Sequence, residues 1–269
     1  MTKSSLFCCP VCGGNLTKID RCYKCENSHS FDIAKEGYVN LLISNKSTEA
    51  SGDDKQMVAS RTRFLEGGYY SPLRDKMCSL IDSTNTENPK ILDAGCGEGY
   101  YTSAFSLKSD MVAGIDLSKS AVKHAAKKCK TGEFAVASVY HLPVPDSCVD
   151  IIINCFSPMA KDEFLRVLKK GGYLIYVVPG SRHLWELKSI LYDNPYENDE
   201  RIEEYDGFEF LKVEEVKNIF TLENTDDIQA LFHMTPYTWK TPKDGIERLK
   251  KLESLTVSAD FRVHVFKKI

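Results

Sequence analysis

The chain lacks several features that would place it outside the ordinary globular class. None of its 269 residues belongs to a long uninterrupted apolar run, so we expect no transmembrane helix. The first residues, Met1-Thr2-Lys3-Ser4-Ser5, lead into cysteines and not into an apolar segment, which predicts that there is no secretory signal peptide. The net charge is only −3, which argues against a protein that coats nucleic acid over its whole surface but leaves room for a local basic face.

Cysteine, by contrast, is plentiful. The chain has ten cysteines and no export signal, which indicates a reducing cytoplasm and metal binding in place of disulfides. Hydrophobic residues make up 42% of the chain and charged residues 27%, as expected of a chain that buries a real core. The length suits one large domain plus a small one.

The first cysteines are arranged in short-spaced pairs. Cys9 and Cys12 form a C-x-x-C pair, and Cys25 with His29 forms a C-x-x-x-H pair. Two such pairs joined by a loop suit a tetrahedral zinc site, and bound metal would supply the folding energy of so small a segment. Cys22 also makes a C-x-x-C pair with Cys25, and Cys8 competes with Cys9, so spacing alone leaves several ligand sets open.

A glycine-rich turn lies near the middle of the chain. The apolar residues of a predicted strand at 90–93 lead to Asp93, after which glycine occupies positions 95, 97 and 99 before a predicted helix. A strand, a glycine turn and a helix form the layout of a nucleotide site. A second apolar run ends in Asp116, where a carboxylate for a ribose is expected. The spacing is not the G-x-G-x-x-G of dinucleotide sites and resembles motif I of the class I S-adenosylmethionine-dependent methyltransferases.

Strands and helices alternate after this turn, which predicts an α/β fold with a doubly wound, mostly parallel sheet. We expect the tail, residues 257–266, to be an edge strand that completes the sheet. Residues 44–60 are polar and predict a linker, and the 193–206 segment is acidic and predicts a solvated edge. The predicted helices are 57–65, 73–81, 100–107, 118–129 and 160–168, and the predicted strands are 90–93, 111–115, 133–137, 149–153 and 172–178.

The cysteine pairs and the glycine turn occur together with further motifs along nearly the whole chain, and together they resemble the bacterial 23S rRNA (guanine-N1-)-methyltransferase family. These motifs are Ala34-Lys35-Glu36-Gly37-Tyr38, Gly67-Gly68-Tyr69-Tyr70, Gly97-Glu98-Gly99-Tyr100-Tyr101-Thr102, Pro179-Gly180-Ser181-Arg182-His183 and Met234-Thr235-Pro236 followed by Trp239. The resemblance implies a zinc-ribbon-like module at 1–43, a linker and cofactor-covering segment at 44–72, and a methyltransferase domain at 73–269. It also implies S-adenosylmethionine, one zinc ion, a 23S rRNA hairpin as substrate, and a homodimer.

The same resemblance implies particular site residues. It favours Cys9, Cys12, Cys25 and His29 as the zinc ligands. It implies that the cofactor is bound by Tyr70, Asp93, Gly95, Gly97, Gly99, Tyr101, Thr102, Asp116, Ser138 and His183. Many methyltransferases carry an acid where Ser138 stands, so a weaker hydroxyl acceptor here shifts part of adenine binding to the neighbouring backbone.

The reaction needs mainly alignment, since a ring nitrogen attacks the methyl group directly. Guanine N1 carries a proton at neutral pH, so a base must take it up. The sequence does not identify that base; His183 and Asn154 are catalytic candidates, and His141 and Asp146 qualify by position alone. The loop from Asn154 to Pro158 ends the fourth strand, where the target base is expected.

The zinc segment also offers RNA contacts. Lys18, Arg21, Lys24 and Lys35 are candidates for phosphates, and Tyr23, Phe31 and Tyr38 for stacking on bases. Two other functions remain: a small-molecule methyltransferase, and a non-catalytic zinc-dependent RNA-binding protein. The intact Asp93, the three glycines and Asp116 count against the second. The modified guanine is not fixed by the sequence; members of the family resembled modify different guanines of one hairpin, and some thereby affect macrolide sensitivity.

Overall fold

A computed structural model describes residues 5–43, 53–201 and 204–269 of the chain. The strands are β1 Thr17–Ile19, β2 Cys22–Lys24, β3 Ser30–Asp32, β4 Tyr38–Asn40, β5 Ile91–Ala94, β6 Val112–Asp116, β7 Glu133–Val136, β8 Val149–Cys155, β9 Leu168–Pro179, β10 Phe208–Leu222 and β11 Leu255–Lys268. The helices are α1 Lys55–Glu66, α2 Ser71–Ser83, α3 Tyr100–Phe105, α4 Lys119–Lys128, α5 Lys161–Val167, α6 Trp185–Leu191, α7 Thr225–His233 and α8 Lys243–Lys250, with a 3-10 helix at Pro236–Trp239. Most of the predicted 44–60 linker, residues 44–52, lies outside the described residues, and α1 begins within the remainder.

The central sheet has eight strands in the order β10-β11-β9-β8-β5-β6-β7-β4. The pairings from β9 through β4 are parallel, whereas β11 pairs antiparallel with both β9 and β10. The chain runs outward from β5 in both directions and so covers both faces with helices. The predicted doubly wound, mostly parallel α/β sheet is confirmed.

The inner strands are apolar on both faces, because successive side chains of a strand point to opposite sides. Ile151 and Ile153 of β8 lie in one hydrophobic cluster with residues of α1, α2, α6 and α7. Ile152 lies in a second cluster, with residues of α5. Each of these isoleucines is fully buried. This burial fixes the register, and with it the position of the loops at the carboxyl ends.

The first residues are joined firmly to the sheet. Strands β1, β2 and β3 form a small antiparallel sheet of their own, but β4 pairs in parallel with β7 of the central sheet. Leu6, Phe7 and Leu16 are buried in the same cluster as Val139 and Leu142, beyond the end of β7. The zinc segment therefore packs on one face of the sheet and supplies its last strand.

The tail differs from the sequence prediction. Residues 255–268 do form a strand, but β11 lies between β9 and β10, so the prediction of an edge strand is wrong. The edge strand at this end of the sheet is β10, which the sequence did not indicate as a strand. Along the described parts of the chain, none of the helices combines the length and the apolar character needed to cross a membrane.

Candidate functional site

A cavity of about 660 Å³ opens at the carboxyl ends of β5, β6, β8 and β9. Its size is in the range of small-molecule sites, and its place at the strand ends is where open α/β sheets bind ligands. Of the predicted cofactor-binding residues, the structure places six on the cavity wall, namely Tyr70, Gly95, Gly97, Tyr101, Asp116 and His183.

Asp116 ends β6 and lines the cavity, and its carboxylate is held by two backbone N–H groups. Its Oδ2 accepts a hydrogen bond from the Gly97 N–H at 3.1 Å, and its Oδ1 accepts one from the Ser118 N–H at 2.7 Å. Each carboxylate oxygen has a further lone pair, so the group can accept two hydroxyl donors as well. Burial raises the pKa of Asp116 above its usual value. This arrangement suits the two adjacent hydroxyls of a ribose.

The glycines of the turn serve different purposes. Gly97 has a φ of 53°, and a Cβ there would meet only Arg61, at 3.9 Å, so the backbone is open towards the cavity. Gly99 has a φ of 83° and lies behind the wall, where a Cβ would stand 2.8 Å from Ala125 of α4. Gly97 therefore admits a ligand, whereas Gly99 permits the close packing of α3 on α4.

Three further residues that were predicted to bind the cofactor, Asp93, Thr102 and Ser138, do not line the cavity. The Thr102 hydroxyl, fully buried, donates to Asp93 Oδ2 at 2.5 Å. Burial raises the pKa of Asp93 to about 7. The Ser138 hydroxyl accepts from the Tyr140 N–H at 3.2 Å, and it is the neighbouring Ala137, Val139 and Tyr140 that line the cavity. Asp93, Thr102 and Ser138 thus hold the loops in place from behind.

His183 and Tyr70 form a buried pair on the wall. His183 Nδ1 lies 2.9 Å from the Asp260 carbonyl oxygen and 3.2 Å from the Asp260 backbone nitrogen. Its other ring nitrogen, Nε2, lies 3.3 Å from the Tyr70 hydroxyl oxygen, within hydrogen-bond distance. Burial lowers the pKa of His183 to about 4, so the imidazole is neutral at physiological pH. A neutral, weakly basic ring is better suited to positioning a ligand than to removing a proton.

The other catalytic candidates lie elsewhere. Asn154 is fully buried, does not line the cavity, and donates from Nδ2 to the Pro158 carbonyl at 3.0 Å, closing the loop after β8. Asp146 is exposed and pairs with Arg166 at 2.8 Å. His141 is exposed and is not on the cavity wall. The loop after β8 lines the cavity with Cys155, Phe156, Ser157 and Pro158, and the φ of 56° at Phe156 is rare for an aromatic residue.

Arg61 of α1 forms part of the cavity wall. Its guanidinium pairs with the Asp53 carboxylate and donates from Nη2 to the Met234 carbonyl at 3.3 Å, and all three residues line the cavity. Ser118, which follows the Asp116 loop, donates to the Asp53 carbonyl at 2.7 Å. The start of α1 therefore closes over the side of the cavity that carries Asp116.

The four predicted zinc ligands converge in the N-terminal segment. The ligand atoms of Cys9, Cys12, Cys25 and His29 lie within 4.8 Å of one another. The Cys12 and Cys25 sulfurs are 3.7 Å apart, and His29 Nδ1 is 3.5 Å from the Cys9 sulfur and 3.4 Å from that of Cys25. Tetrahedral zinc requires about 3.8 Å between sulfurs and about 3.6 Å between sulfur and nitrogen. The four side chains fit one zinc ion.

The competing cysteines are placed outside this cluster. The Cys22 thiol donates to the Ile19 carbonyl at 3.3 Å, within the turn between β1 and β2. Cys8 is buried, and its sulfur is not among the ligand atoms that lie within 4.8 Å of one another. The geometry therefore favours Cys9, with Cys12, Cys25 and His29.

The prediction of base stacking is wrong for two of the three aromatic residues, because their side chains are buried. Tyr23 and Tyr38 are buried, the first in the core beneath the zinc segment and the second in β4 against α4 and β7. Phe31 is half-buried. Lys18, Arg21 and Lys24 are exposed around β1 and β2, so the proposed phosphate contacts keep their access to solvent.

The fold and the cavity together define a class. A glycine loop, a carboxylate at the tip of the neighbouring strand and a buried hydroxyl of Tyr101 without an oxygen or nitrogen partner among the described residues fit S-adenosylmethionine. The chain is a class I S-adenosylmethionine-dependent methyltransferase with a zinc-ribbon module.

Comparison with known proteins identifies the family. Residues 7–48 match the family model described as "RlmA, N-terminal", and residues 92–176 match a methyltransferase domain. YxjB of Bacillus subtilis (strain 168) is 34% identical over 271 residues, which cover 95% of each chain. The 23S rRNA (guanine(748)-N(1))-methyltransferase of Streptomyces fradiae is 31% identical over 268 residues, again 95% of each. The chain belongs to the family of 23S rRNA (guanine-N1-)-methyltransferases.

A third relative matches a shorter part of the chain. The malonyl-[acyl-carrier protein] O-methyltransferase of Hamiltonella defensa is 35% identical over 107 residues, 36% of this chain and 40% of its own. That match is much shorter than the two that cover 95% of the chain.

Proposed function

We propose that the protein transfers a methyl group from S-adenosylmethionine to N1 of a guanine in a hairpin of 23S rRNA. The observation that carries the proposal is the full-length match: relatives of this family align over 95% of the chain, with the zinc segment as well as the cofactor domain. A small-molecule methyltransferase is the competing function. The relative that is named for a substrate other than rRNA, a malonyl-[acyl-carrier protein] O-methyltransferase, aligns over 36% of the chain.

The bound cofactor supplies an electrophilic methyl group on a sulfonium centre. The chain would hold its ribose with Asp116 and leave space for it at Gly97, while Tyr70 and His183 line the far wall. The loop Cys155–Pro158, which follows β8, would face the target base. Exclusion of water and alignment of the reacting atoms are then the main contributions of the protein.

The base that takes the proton of guanine N1 is not identified by the candidates from the sequence. Of the groups that the sequence suggested, only His183 lines the cavity, and its pKa of about 4 makes it a poor base at neutral pH. We propose that His183 orients the reactants through its hydrogen bond with Tyr70, so that its replacement lowers the rate by misplacing groups.

The test is a transfer reaction in vitro. Purified protein is mixed with methyl-labelled S-adenosylmethionine and 23S rRNA from cells that lack the gene, and the label is mapped to a nucleotide. We expect one labelled guanine, seen also as a stop in primer extension, because N1 lies on the pairing edge of the base. Tight cofactor binding with no label in the rRNA would favour the small-molecule function.

The homodimer, which the family resemblance implies, and the cytoplasmic location, which the cysteine content predicts, belong to the same proposal. Sedimentation of the purified protein with and without an RNA hairpin measures the oligomeric state directly. An effect on macrolide sensitivity is tested by comparing growth of the wild type with that of a strain lacking the gene; unchanged sensitivity would remove that part of the proposal.

A further inference from the structure

Exposed aromatic side chains are concentrated at the cavity. Within the described parts of the chain, the exposed aromatic residues are Tyr140, Phe156, Tyr196 and Trp239, between 47% and 68% accessible. The first three line the cavity, and Trp239 ends the 3-10 helix whose first two residues line it. Large aromatic rings left in water at one place indicate a surface for flat, π-faced ligands.

Tyr196 belongs to a segment that is fixed without helix or strand. We call residues 196–200 the strap. The Asn198 N–H donates to the Ser181 carbonyl at 2.8 Å, and Asn198 Nδ2 donates to the Gly180 carbonyl at 2.7 Å. Glu200 accepts from the Ser181 N–H at 2.6 Å. These bonds fasten the strap to the turn directly after β9.

A buried lysine supports the ring of Tyr196. Lys188 of α6 is fully buried, and its ammonium donates to the Tyr196 carbonyl at 3.1 Å and to Asn198 Oδ1 at 2.9 Å. The same nitrogen lies 4.6 Å from the centre of the Tyr196 ring. Burial lowers the pKa of Lys188. Burying an ammonium group is costly unless it is hydrogen-bonded. Both hydrogen bonds of Lys188 go to the strap, so the buried charge fixes the segment that carries the exposed ring of Tyr196.

The position of the strap separates it from the cofactor side of the cavity. It is bonded to the turn after β9, next to the loop that follows β8, whereas Asp116 ends β6. Strands β9 and β6 are three positions apart in the sheet, which corresponds to about 14 Å. Tyr196 therefore stands over the side where the target base would enter. Its exposed neighbours Glu197 and Asp199 are paired with Arg182 and Arg201, at 4.0 Å and 2.9 Å.

We propose that Tyr196 stacks on the target base as it enters the cavity, and that Lys188 positions Tyr196 for this contact. The inference rests on the proposed function, since the ligand of Tyr196 is an unpaired RNA base. Recognition of unpaired bases by stacking on aromatic side chains is typical of RNA-binding sites. Tyr196 contacts substrate, and Lys188 acts through Tyr196.

The experiment is steady-state transfer to a hairpin RNA, with saturating cofactor and varied RNA. Tyr196→Leu keeps an apolar side chain but removes the ring, and Tyr196→Phe keeps the ring. Stacking contributes about 1–3 kcal/mol per base, so we expect Tyr196→Leu to raise the KM for RNA about 5- to 150-fold. We expect Tyr196→Phe to stay within about threefold of the wild type. Ile219→Ala, which trims an exposed side chain of β10, is the control for loss of surface apolar area.

Lys188→Met keeps the length of the side chain and removes both hydrogen bonds to the strap. We expect it to raise the KM for RNA as Tyr196→Leu does, and the double variant to be no worse than Tyr196→Leu alone. The thermal midpoint and the affinity for S-adenosylmethionine, measured on each variant, identify a folding defect.

Three outcomes overturn the inference: a wild-type KM in Tyr196→Leu, an equal loss in Tyr196→Phe, or additive effects in the double variant. The first two remove Tyr196 as a stacking residue, and the third shows that Lys188 does not act through it. Failure of the wild-type protein to label any RNA while it binds cofactor is different, because it overturns the proposed function itself.

Discussion

Asp116 combines two tasks at the residue scale. It holds the glycine loop through the N–H groups of Gly97 and Ser118, and its remaining lone pairs face the cavity. Asp116→Asn replaces one acceptor oxygen with a donor, so a hydroxyl or a backbone N–H loses its partner. We expect the affinity for S-adenosylmethionine, measured by titration calorimetry, to fall about 10- to 100-fold.

Asp162→Asn is the matched control, because the Asp162 side chain is almost fully exposed at the start of α5 and away from the cavity wall. It should bind the cofactor as the wild type does. Unchanged affinity in Asp116→Asn would exclude this carboxylate from the cofactor site.

Asp93 makes stability depend on pH. Burial raises its pKa to about 7, from 3.8 in the unfolded chain. Between these values the folded protein keeps a proton that the unfolded chain has released, so the Asp93 contribution to the free energy of unfolding decreases as pH rises from about 4 to about 7. Asp93→Asn removes this dependence and still accepts from Thr102. We expect its thermal midpoint to exceed that of the wild type at pH 8, with the difference narrowing towards pH 5.

Circular dichroism melts at several pH values measure both proteins. A difference that is the same at pH 5 and pH 8 would show that the Asp93 carboxyl does not titrate in this range.

At the element scale, α3 and α4 pack so closely that no side chain fits between them. In Gly99→Ala the new Cβ would stand 2.8 Å from Ala125, at a φ of 83°. We expect a loss of about 2–5 kcal/mol in the free energy of unfolding, from strain plus overpacking. Gly68→Ala has a similar φ, 79°, with no atom within 4 Å of the added Cβ, so it measures strain alone and should cost about 1–2 kcal/mol. Equal losses in urea unfolding of the two variants would contradict the close packing.

The zinc cluster gives a second prediction at this scale. Cys12→Ser removes one of four ligands that fit a tetrahedral ion, so we expect the purified protein to lose its bound zinc, measured by a chromogenic chelator. Cys22→Ser, whose thiol bonds the Ile19 carbonyl, should keep about one zinc per chain. Zinc lost from Cys22→Ser as well as from Cys12→Ser would indicate the all-cysteine alternative, in which Cys22 takes the place of His29.

The elements differ in how far the sequence predicts them. The glycine loop and Asp116 follow from local spacing, because a strand, a tight turn and a second strand tip are encoded within a few tens of residues. The pairing of β11 is non-local: alternation predicts a strand but not which neighbours it takes. Strand β10 carries charges at Glu209, Glu214 and Glu215 and lies at the edge, so it has no apolar run to reveal it. Edge strands are commonly charged for this reason.

The site residues likewise divide into those that local spacing predicts and those that depend on the folded structure. The zinc ligands lie within one short segment, so their spacing predicts their geometry. Lys188 and Tyr196 are also close in sequence, but nothing in the pattern indicates that the lysine is buried or that its partner carbonyls lie in the strap. Asn154 was a reasonable catalytic candidate by position, whereas the backbone conformation at Phe156, which presents an aromatic ring instead, depends on the completed loop.

At the scale of the whole molecule, we expect the exposed cations of the zinc segment to set the response of RNA binding to salt. Binding of the RNA hairpin should weaken steeply as salt rises, because phosphate contacts release counterions, whereas a small neutral substrate should not respond. Replacing Lys18, Arg21 and Lys24 with alanine should reduce the slope of log affinity against log salt by about 2–3.

Lys212→Ala with Lys217→Ala, on the exposed edge strand β10, is the control for a general loss of positive charge. A slope unchanged by the triple substitution would exclude the zinc segment from the RNA interface.

The pairing of β4 with β7 has a consequence for how the protein is made. Tyr38, Val39 and Asn40 need partners at 134–136, which leave the ribosome about one hundred residues later. At 5–20 residues per second, the finished zinc segment waits roughly 5 to 20 s for its strand partner. The zinc ligands, all contained between residues 9 and 29, can capture the ion during that interval. We therefore expect the first folded unit of the nascent chain to be one that metal supply controls, with an open strand edge until β7 pairs with it.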